Sequence, residues 1–323
     1  MTYLATMALL LTATLAGCGR EPLPEAGNAI RFSVDADYDL SVGTKAELVD
    51  LAGMQTGAIK LYGSMAGVTT PVFDGIALSY STTDSRWSYA PVQYWIQNGT
   101  YDFRAVFPAA AGVTAGSSAG VTVNYSMATD NYDLMVASAP GISANVQVDS
   151  GNPPVGLAFQ HACSAVRFLF KDGDKDYYLK SMTLQGVNSS GTMTYNSTGM
   201  AWIGTGTTAA SLWSGSWSIA PTETEAYTGP GDGWHILPPQ TSLDNAELVI
   251  TYTVGNAENA QILPVTIPLK YVDGTDSSKS VLAWDRAKTY TYKIELQANA
   301  ITFDVAISED WIDETEHEYD PIG

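Results

Sequence analysis

Residues 101–105 read Tyr-Asp-Phe-Arg-Ala, so apolar and polar side chains alternate along the run. Successive side chains of a β-strand point to opposite faces, so this period of two predicts a strand with one face in a core and one in water. The alternation recurs in runs that are rich in β-branched and aromatic residues, which favour strands. These runs are residues 30–34, 121–125, 165–170, 248–254, 290–296 and 301–307.

Short turn signals separate the runs, and Asn, Asp or Ser followed by Gly suits a tight hairpin turn. Such pairs are Asn98-Gly99, Asp172-Gly173, Ser190-Gly191 and Asp273-Gly274. Helical periodicity is nearly absent, although residues 46–54 could form a short helix or a turn. The sequence therefore predicts an all-β protein built of antiparallel β-sandwiches.

The length of the chain predicts two domains. At 323 residues it is long for one ordinary sandwich, and a polar Ser-Gly-Asn-Pro-Pro stretch at residues 150–154 marks a boundary. We expect an N-terminal sandwich at residues 29–152 and a C-terminal sandwich at residues 153–323. No short fixed repeat is found, which argues against a propeller or a solenoid.

The charge excludes some partners. The formal net charge is −19, and the 15 Lys and Arg residues are scattered without a basic stripe. A chain this acidic is repelled by phosphate backbones, which argues against nucleic-acid binding. Direct adsorption to an anionic membrane face is disfavoured for the same reason.

The N-terminus resembles a lipoprotein signal peptide. Residues 4–15 are apolar apart from three Thr, a length that suits a signal-peptide core rather than a membrane span. Residues 15–18 read Leu-Ala-Gly-Cys, which resembles a bacterial lipobox. We expect a signal peptide at 1–17, lipidation of Cys18 and a Pro-rich tether at 18–28. The alternative is an ordinary secretory signal with a chance cysteine, and both predict a location outside the cytoplasm.

The residues that most often carry chemistry form no catalytic or metal-binding pattern. The three histidines, His161, His235 and His317, are not paired at a metal-ligand spacing. Cys163 lies two residues after His161, so a Cys/His nucleophile pair is conceivable, but its small and apolar neighbours favour a buried free thiol. We therefore expect no enzymatic activity, no metal and no cofactor.

Several tryptophans fall in one Gly-, Ser- and Thr-rich stretch of the second half of the chain. Aromatic faces can stack on sugar rings, so these residues form a candidate glycan-binding site. The alternative is that the rings pack within the second sandwich and under its loops. The residues are Trp202, Trp213, Trp217 and Trp234.

Several segments, in their order along the chain, resemble the fimbrillins, the type V pilins of Bacteroidales. The resemblance covers nearly the whole mature chain. It is carried by the aromatic strand ending in Pro at 101–108, Asp-Leu-Met-Val-Ala at 133–137, the strand at 157–168, Ile-Leu-Pro-Pro-Gln at 236–240 and the aromatic strands at 284–311.

The resemblance implies two tandem transthyretin-like sandwiches and a polymerisation cycle. In that cycle an Arg- or Lys-specific protease removes the first strand of a surface lipoprotein, and a strand of the next subunit fills the groove. On this sequence the removable strand carries Ile30, Phe32 and Val34, and Lys45 is the expected processing site. The alternative for Lys45 is a surface lysine in a loop.

The predicted function is thus a lipid-anchored fimbrial subunit at the outer membrane that mediates adhesion. Its expected partners are other fimbrial subunits and a glycan or protein on a host or bacterial surface. Residues 312–323 are acidic and contain only Ile312, Tyr319 and Ile322 as large apolar residues, which favours a tip or accessory subunit over a shaft subunit. The alternative is a surface glycan-binding lipoprotein that does not polymerise.

Overall fold

A computed structural model describes the chain in several ranges. They are residues 28–36, 49–143, 152–172, 175–206, 209–219, 227–230, 233–274, 276–296 and 301–308.

The described residues are almost entirely β-structure, which confirms the predicted all-β class. The one α-helix among them, α1 (Leu51–Thr56), begins at Asp50, whose Oδ1 accepts a hydrogen bond from the N–H of Gly53 at 2.7 Å. No helix in the described ranges is long and apolar enough to cross a membrane. The strands are β1 (Phe32–Ala36), β2 (Ala58–Met65), β3 (Phe73–Ser81), β4 (Arg86–Ser88), β5 (Thr100–Phe107), β6 (Gly112–Gly116), β7 (Gly120–Ser126), β8 (Met135–Ser143), β9 (Val155–His161), β10 (Ser164–Asp172), β11 (Tyr177–Gln185), β12 (Ser190–Asn196), β13 (Gly199–Thr205), β14 (Ala210–Ile219), β15 (His235–Leu237), β16 (Glu247–Val254), β17 (Leu263–Pro268), β18 (Thr289–Leu296) and β19 (Ile301–Ser308).

These strands form four sheets. A seven-stranded sheet has the order β1-β9-β8-β5-β2-β3-β4, and the three others have four strands each. We call β13-β12-β7-β6 the cover sheet, because it packs on the seven-stranded sheet. The remaining two are β15-β10-β18-β19 and β14-β11-β16-β17.

The seven-stranded sheet encloses its own core, since its two edge strands, β1 and β4, contact each other. One face of every long strand contributes to this core, as the alternation in β1 and β5 requires. The largest buried side chains here are Ile30, Met54, Phe73, Tyr101, Phe103 and Phe159.

The opposite face of the seven-stranded sheet is also buried, under the cover sheet. Val106 and Val136 of the seven-stranded sheet share a cluster with Val123 and Met193 of the cover sheet. This explains why β5 ends in the continuously buried run Arg104–Phe107, where a strand with one solvent face would alternate.

The other two sheets pack face to face around a core that includes Phe168, Leu179, Ile250 and Trp284. A chain of hydrogen bonds crosses this core. Trp284 Nε1 donates to Tyr292 Oη at 3.0 Å, and Tyr292 Oη donates to the carbonyl of Leu269 at 2.8 Å. Burial raises the pKa of the Tyr292 phenol, so the hydroxyl stays protonated and remains a donor.

Tyr292→Phe is expected to lower the free energy of unfolding by about 2 kcal/mol, because a buried N–H and a buried carbonyl both lose their partner. The measurement is urea unfolding followed by tryptophan fluorescence. Tyr252→Phe is the matched control, since Tyr252 is only partly buried and its hydroxyl forms no hydrogen bond with any described residue. Equal stability of the two variants would contradict this account of the core.

Two strand pairs depart from the predicted antiparallel arrangement: β1 runs parallel to β9, and β10 runs parallel to β18. Parallel neighbours need a long connection, and both pairs join strands that lie far apart in the chain. Strands on the two sides of the predicted boundary pair with each other. β9, which follows the boundary, pairs with β1 and β8, and β12 pairs with β7. The division into residues 29–152 and 153–323, like the tandem transthyretin-like architecture, stays a prediction.

Candidate functional site

The leading segment, residues 28–36, lies between strand β9 of the seven-stranded sheet and the loop that follows β4. On one side, β1 pairs in parallel with β9, from Phe32 opposite Val155 to Ala36 opposite Phe159. On the other side, the N–H of Ile30 donates to the carbonyl of Gln93 at 2.9 Å. The segment therefore fills a groove, which we call the leading-strand groove, instead of lying on the surface.

Alternate side chains of the leading segment point into the groove. Ile30, Phe32 and Val34 are 1%, 5% and 8% exposed, whereas Arg31 and Ser33 between them are exposed. Burying three side chains of this size contributes about 5–8 kcal/mol. That is comparable with the whole stability of a typical domain, about 5–15 kcal/mol.

Phe32 is the centre of an aromatic cluster. Its ring meets those of Phe73, Tyr89 and Phe103 edge-on, with centroids 5.6, 5.9 and 5.3 Å away. Such edge-to-face pairs are worth about 0.5–1.5 kcal/mol each beyond the area they bury. Tyr89 also holds the backbone of the segment, because its hydroxyl donates to the carbonyl of Ile30 at 2.7 Å.

The structure thus brings Ile30, Phe32 and Val34 together on one face, but their role in strand exchange stays a prediction. Cys18 and Lys45 lie outside the described residues, as do the signal peptide and most of the tether. Sequence reasoning missed the residues that line the groove, since the alternation in a strand shows that it has an inner face but not which strands it meets. The lining residues are Phe73, Tyr89, Trp95, Phe103, Val155, Leu157 and Phe159.

The tryptophans of the candidate glycan site do not share one surface. Trp202 and Trp234 are partly buried against the core under the cover sheet, and Trp202 Nε1 donates to the carbonyl of Ala162 at 2.9 Å. Trp213 and Trp217, both on β14, pack against the core around Trp284. Glycan binding by these residues stays a prediction.

His161 and Cys163 are both buried. His161 Nδ1 lies 2.9 Å from Asp133 Oδ2, which also accepts a hydrogen bond from the N–H of Val49 at 3.0 Å. Burial, with a smaller effect of Asp133, raises the pKa of the Cys163 thiol well above its usual value. The thiol is therefore held in its unreactive form.

A model of the fimbrillin-like family matches residues 52–311. The chain belongs to the fimbrillin-like family. Fimbrillins are structural proteins of fimbriae and not a family of enzymes, so membership supports a fimbrial subunit.

Solved structures show the same fold. A fimbrial protein from Bacteroides vulgatus matches 88% of this chain and 100% of its own, with a TM-score of 0.59 and 15% identity. A protein from Bacteroides uniformis that is assigned to cell adhesion matches 90% of this chain and 100% of its own, with a TM-score of 0.56 and 16% identity. No curated protein sequence matches the chain.

Proposed function

We propose that this fimbrillin is a cell-surface fimbrial subunit that assembles by exchange of its leading strand and thereby contributes to adhesion. One observation carries the proposal: residues 28–36 fill a groove between β9 and the loop after β4, with Ile30, Phe32 and Val34 buried in it. A strand from another subunit with the same alternation would make the same contacts.

The backbone around the groove supports exchange. Without the leading segment, the carbonyl of Gln93 and the N–H groups of Trp95 and Val155 would lose hydrogen bonds of 2.9, 2.9 and 2.7 Å. Unpaired groups along a sheet edge are a template for pairing with another chain. An incoming strand restores these bonds whatever its sequence, since they involve only the backbone.

The side chains around the groove would select the incoming strand. The slot that Phe32 occupies is lined by aromatic rings. The apolar slots on either side of it hold Ile30 and Val34. A donor strand must therefore present apolar residues at alternate positions, with a large one at the centre. A charged residue at the centre would be buried without a partner.

The connectivity of the chain supports a proteolytic trigger. Every described element except the leading segment follows residue 48, so one cut within residues 37–48 would separate that segment from the rest. Lys45 lies in this interval and is the proposed processing site. Lipid attachment at Cys18 would hold the precursor at the outer membrane, and the acidic residues 312–323 make a tip or accessory position the proposed one.

The test uses the full chain with a recognition sequence for a site-specific protease inserted after Lys45. After cleavage, a fluorescent peptide of residues 28–36 is expected to displace the resident segment, which raises the fluorescence anisotropy. The same peptide carrying Phe32→Asp is expected to bind at least about a hundredfold more weakly, because the carboxylate enters an apolar slot. Cleaved subunits without peptide are expected to form SDS-resistant oligomers.

A second cleavage site provides the control. The same recognition sequence inserted after Ser118, in the turn between β6 and β7, leaves the leading segment attached. Cleavage there is expected to permit neither peptide binding nor oligomers. Equal binding of the two peptides, or no binding after cleavage at Lys45, would overturn strand exchange. Peptide binding without oligomers would contradict self-assembly but would support the groove as a site that accepts a strand.

A further inference from the structure

A cavity of about 360 Å³ lies on the covered side of the seven-stranded sheet, beside the turn that joins β12 to β13. It is separate from the leading-strand groove, because Arg104 lines the cavity whereas its neighbours Phe103 and Ala105 belong to the core around the groove. Its polar lining includes Arg104, Ser138, Gln160, Tyr195, Asn196 and Arg286.

Arg104 is the unusual residue of this cavity. It is 5% exposed, and its Nε and Nη1 are buried without a hydrogen-bond partner among the described residues. Its guanidinium lies 5.0 Å from the centre of the Tyr195 ring, a cation–π contact that orients the group but uses none of its N–H donors. A buried charge without a partner is costly, so an anion in the cavity beside this guanidinium would stabilise it.

Arg286 adds a second positive charge at the rim. It is exposed, and its Nη1 donates long hydrogen bonds of 3.4 Å to Gln160 Oε1 and to the carbonyl of His161. Neither arginine forms a salt bridge with a described carboxylate, and no Asp or Glu within the described ranges lines the cavity. In a chain with 34 acidic and 15 basic residues, two arginines without an acid make this cavity a local positive site.

Neutral polar groups complete the lining. Ser138 Oγ lies 3.0 Å from Tyr195 Oη, and the amides of Gln160 and Asn196 offer both donors and acceptors. The volume is near the lower end of small-molecule sites, about 300–1,000 Å³, and suits a ligand of monosaccharide size.

We propose that this cavity binds an acidic sugar unit, with its carboxylate or sulfate ester on Arg104 and Arg286 and its hydroxyls on the neighbouring hydroxyl and amide groups. Guanidinium groups present paired N–H donors that match the oxygens of both kinds of anion. The amides and hydroxyls supply the donors and acceptors that sugar hydroxyls need. This site is distinct from the candidate tryptophan site, because none of the four tryptophans lines the cavity.

The test is ligand-observed NMR on the full chain with three probes: D-glucuronate, D-glucose 6-sulfate and D-glucose. At least one of the acidic sugars is expected to bind, more weakly as salt is raised, and neutral glucose is expected to bind at least about tenfold more weakly. Comparison of the two acidic sugars identifies the anionic group.

Substitutions locate the site. Arg104→Lys keeps the charge but loses the paired donors, and Arg286→Gln changes an exposed side chain that the fold does not need. Each is expected to weaken binding of the acidic sugar at least about fivefold, with an unchanged melting temperature for Arg286→Gln. Arg86→Gln, an exposed site on β4 with the same change in net charge, is the matched control and is expected to bind normally.

Three results would overturn the proposal. They are the absence of binding for both acidic sugars at millimolar concentration, equal binding of glucose, and equal losses in Arg86→Gln and Arg286→Gln. Acetate serves as a fourth probe: if it bound as tightly as glucuronate, the sugar would be overturned as the ligand class. None of these results bears on strand exchange, because the leading-strand groove faces the other side of the sheet.

Discussion

Phe32→Ala is expected to lower the free energy that holds the leading strand in its groove by about 3–5 kcal/mol, because the change leaves a cavity that the sheet cannot close. Phe32 is 5% exposed and contacts three aromatic rings from β3, the loop after β4, and β5. Phe73 and Phe103 lie on β3 and β5, which both pair with β2, so these two rings cannot move inward without disturbing the sheet.

Hydrogen exchange and urea unfolding together measure this effect. If the strand detaches locally, exchange accelerates at the backbone amides that bond across the groove, including those of Ile30, Trp95 and Val155. If the substitution destabilises the whole domain, the midpoint of urea unfolding falls instead. Ser33→Ala, a change on the exposed face of the same strand, is the matched control and is expected to lie within about 0.5 kcal/mol of the parent.

A loss below about 1 kcal/mol for Phe32→Ala, by either measurement, would contradict the groove as the main attachment of the leading strand. Strand exchange would then lack its driving force, since a donor strand that entered the same groove would gain equally little from it. A large loss has the opposite meaning: the precursor is locked until cleavage, and a replacement strand gains nearly the whole of that energy. The free energy lost in Phe32→Ala therefore shows whether the leading strand is held firmly in its groove or only weakly attached.

Strand positions could be predicted from the sequence because alternation is a local property. The runs at residues 248–254, 290–296 and 301–307 all became strands. Partners could not be predicted, because pairing depends on residues far away in the chain. β1 pairs with β9, more than a hundred residues later, and nothing in either strand indicates the other.

Arg104 shows the limit of local reasoning most clearly. Its place in the alternating run at residues 101–105 predicted a solvent-exposed side chain, and this prediction is wrong. The cover sheet supplies the reason: Tyr195 of β12 lies over the guanidinium, so the face that should meet water meets another sheet. The sequence of β5 does contain a signal, since residues 105–107 are continuously apolar, as is typical of a strand with two buried faces.

Gly186→Ala is expected to destabilise the protein by more than about 4 kcal/mol or to prevent folding. Gly186 follows β11 with a φ of +70°, and a Cβ there would lie 1.7 Å from the carbonyl oxygen of Asn245. That oxygen belongs to backbone and cannot turn away as a side chain could. The neighbouring residue, Ala246, is fixed on both sides, because its N–H donates to Leu243 and its carbonyl accepts from Leu269.

Gly255→Ala separates the steric clash from the backbone strain. Gly255 follows the adjacent strand β16 with a φ of +73°, but a Cβ there meets nothing within 4 Å. Gly255→Ala should lower the free energy of unfolding only by the cost of placing alanine in the left-handed conformation, roughly 1–2 kcal/mol. The difference in urea midpoint between the variants therefore measures the contact with Asn245. Equal losses of stability would mean that the turn at residues 243–246 moves to make room for the new methyl group. The pairing of β11 with β16 would then depend on its backbone hydrogen bonds and not on the close contact between Gly186 and Asn245.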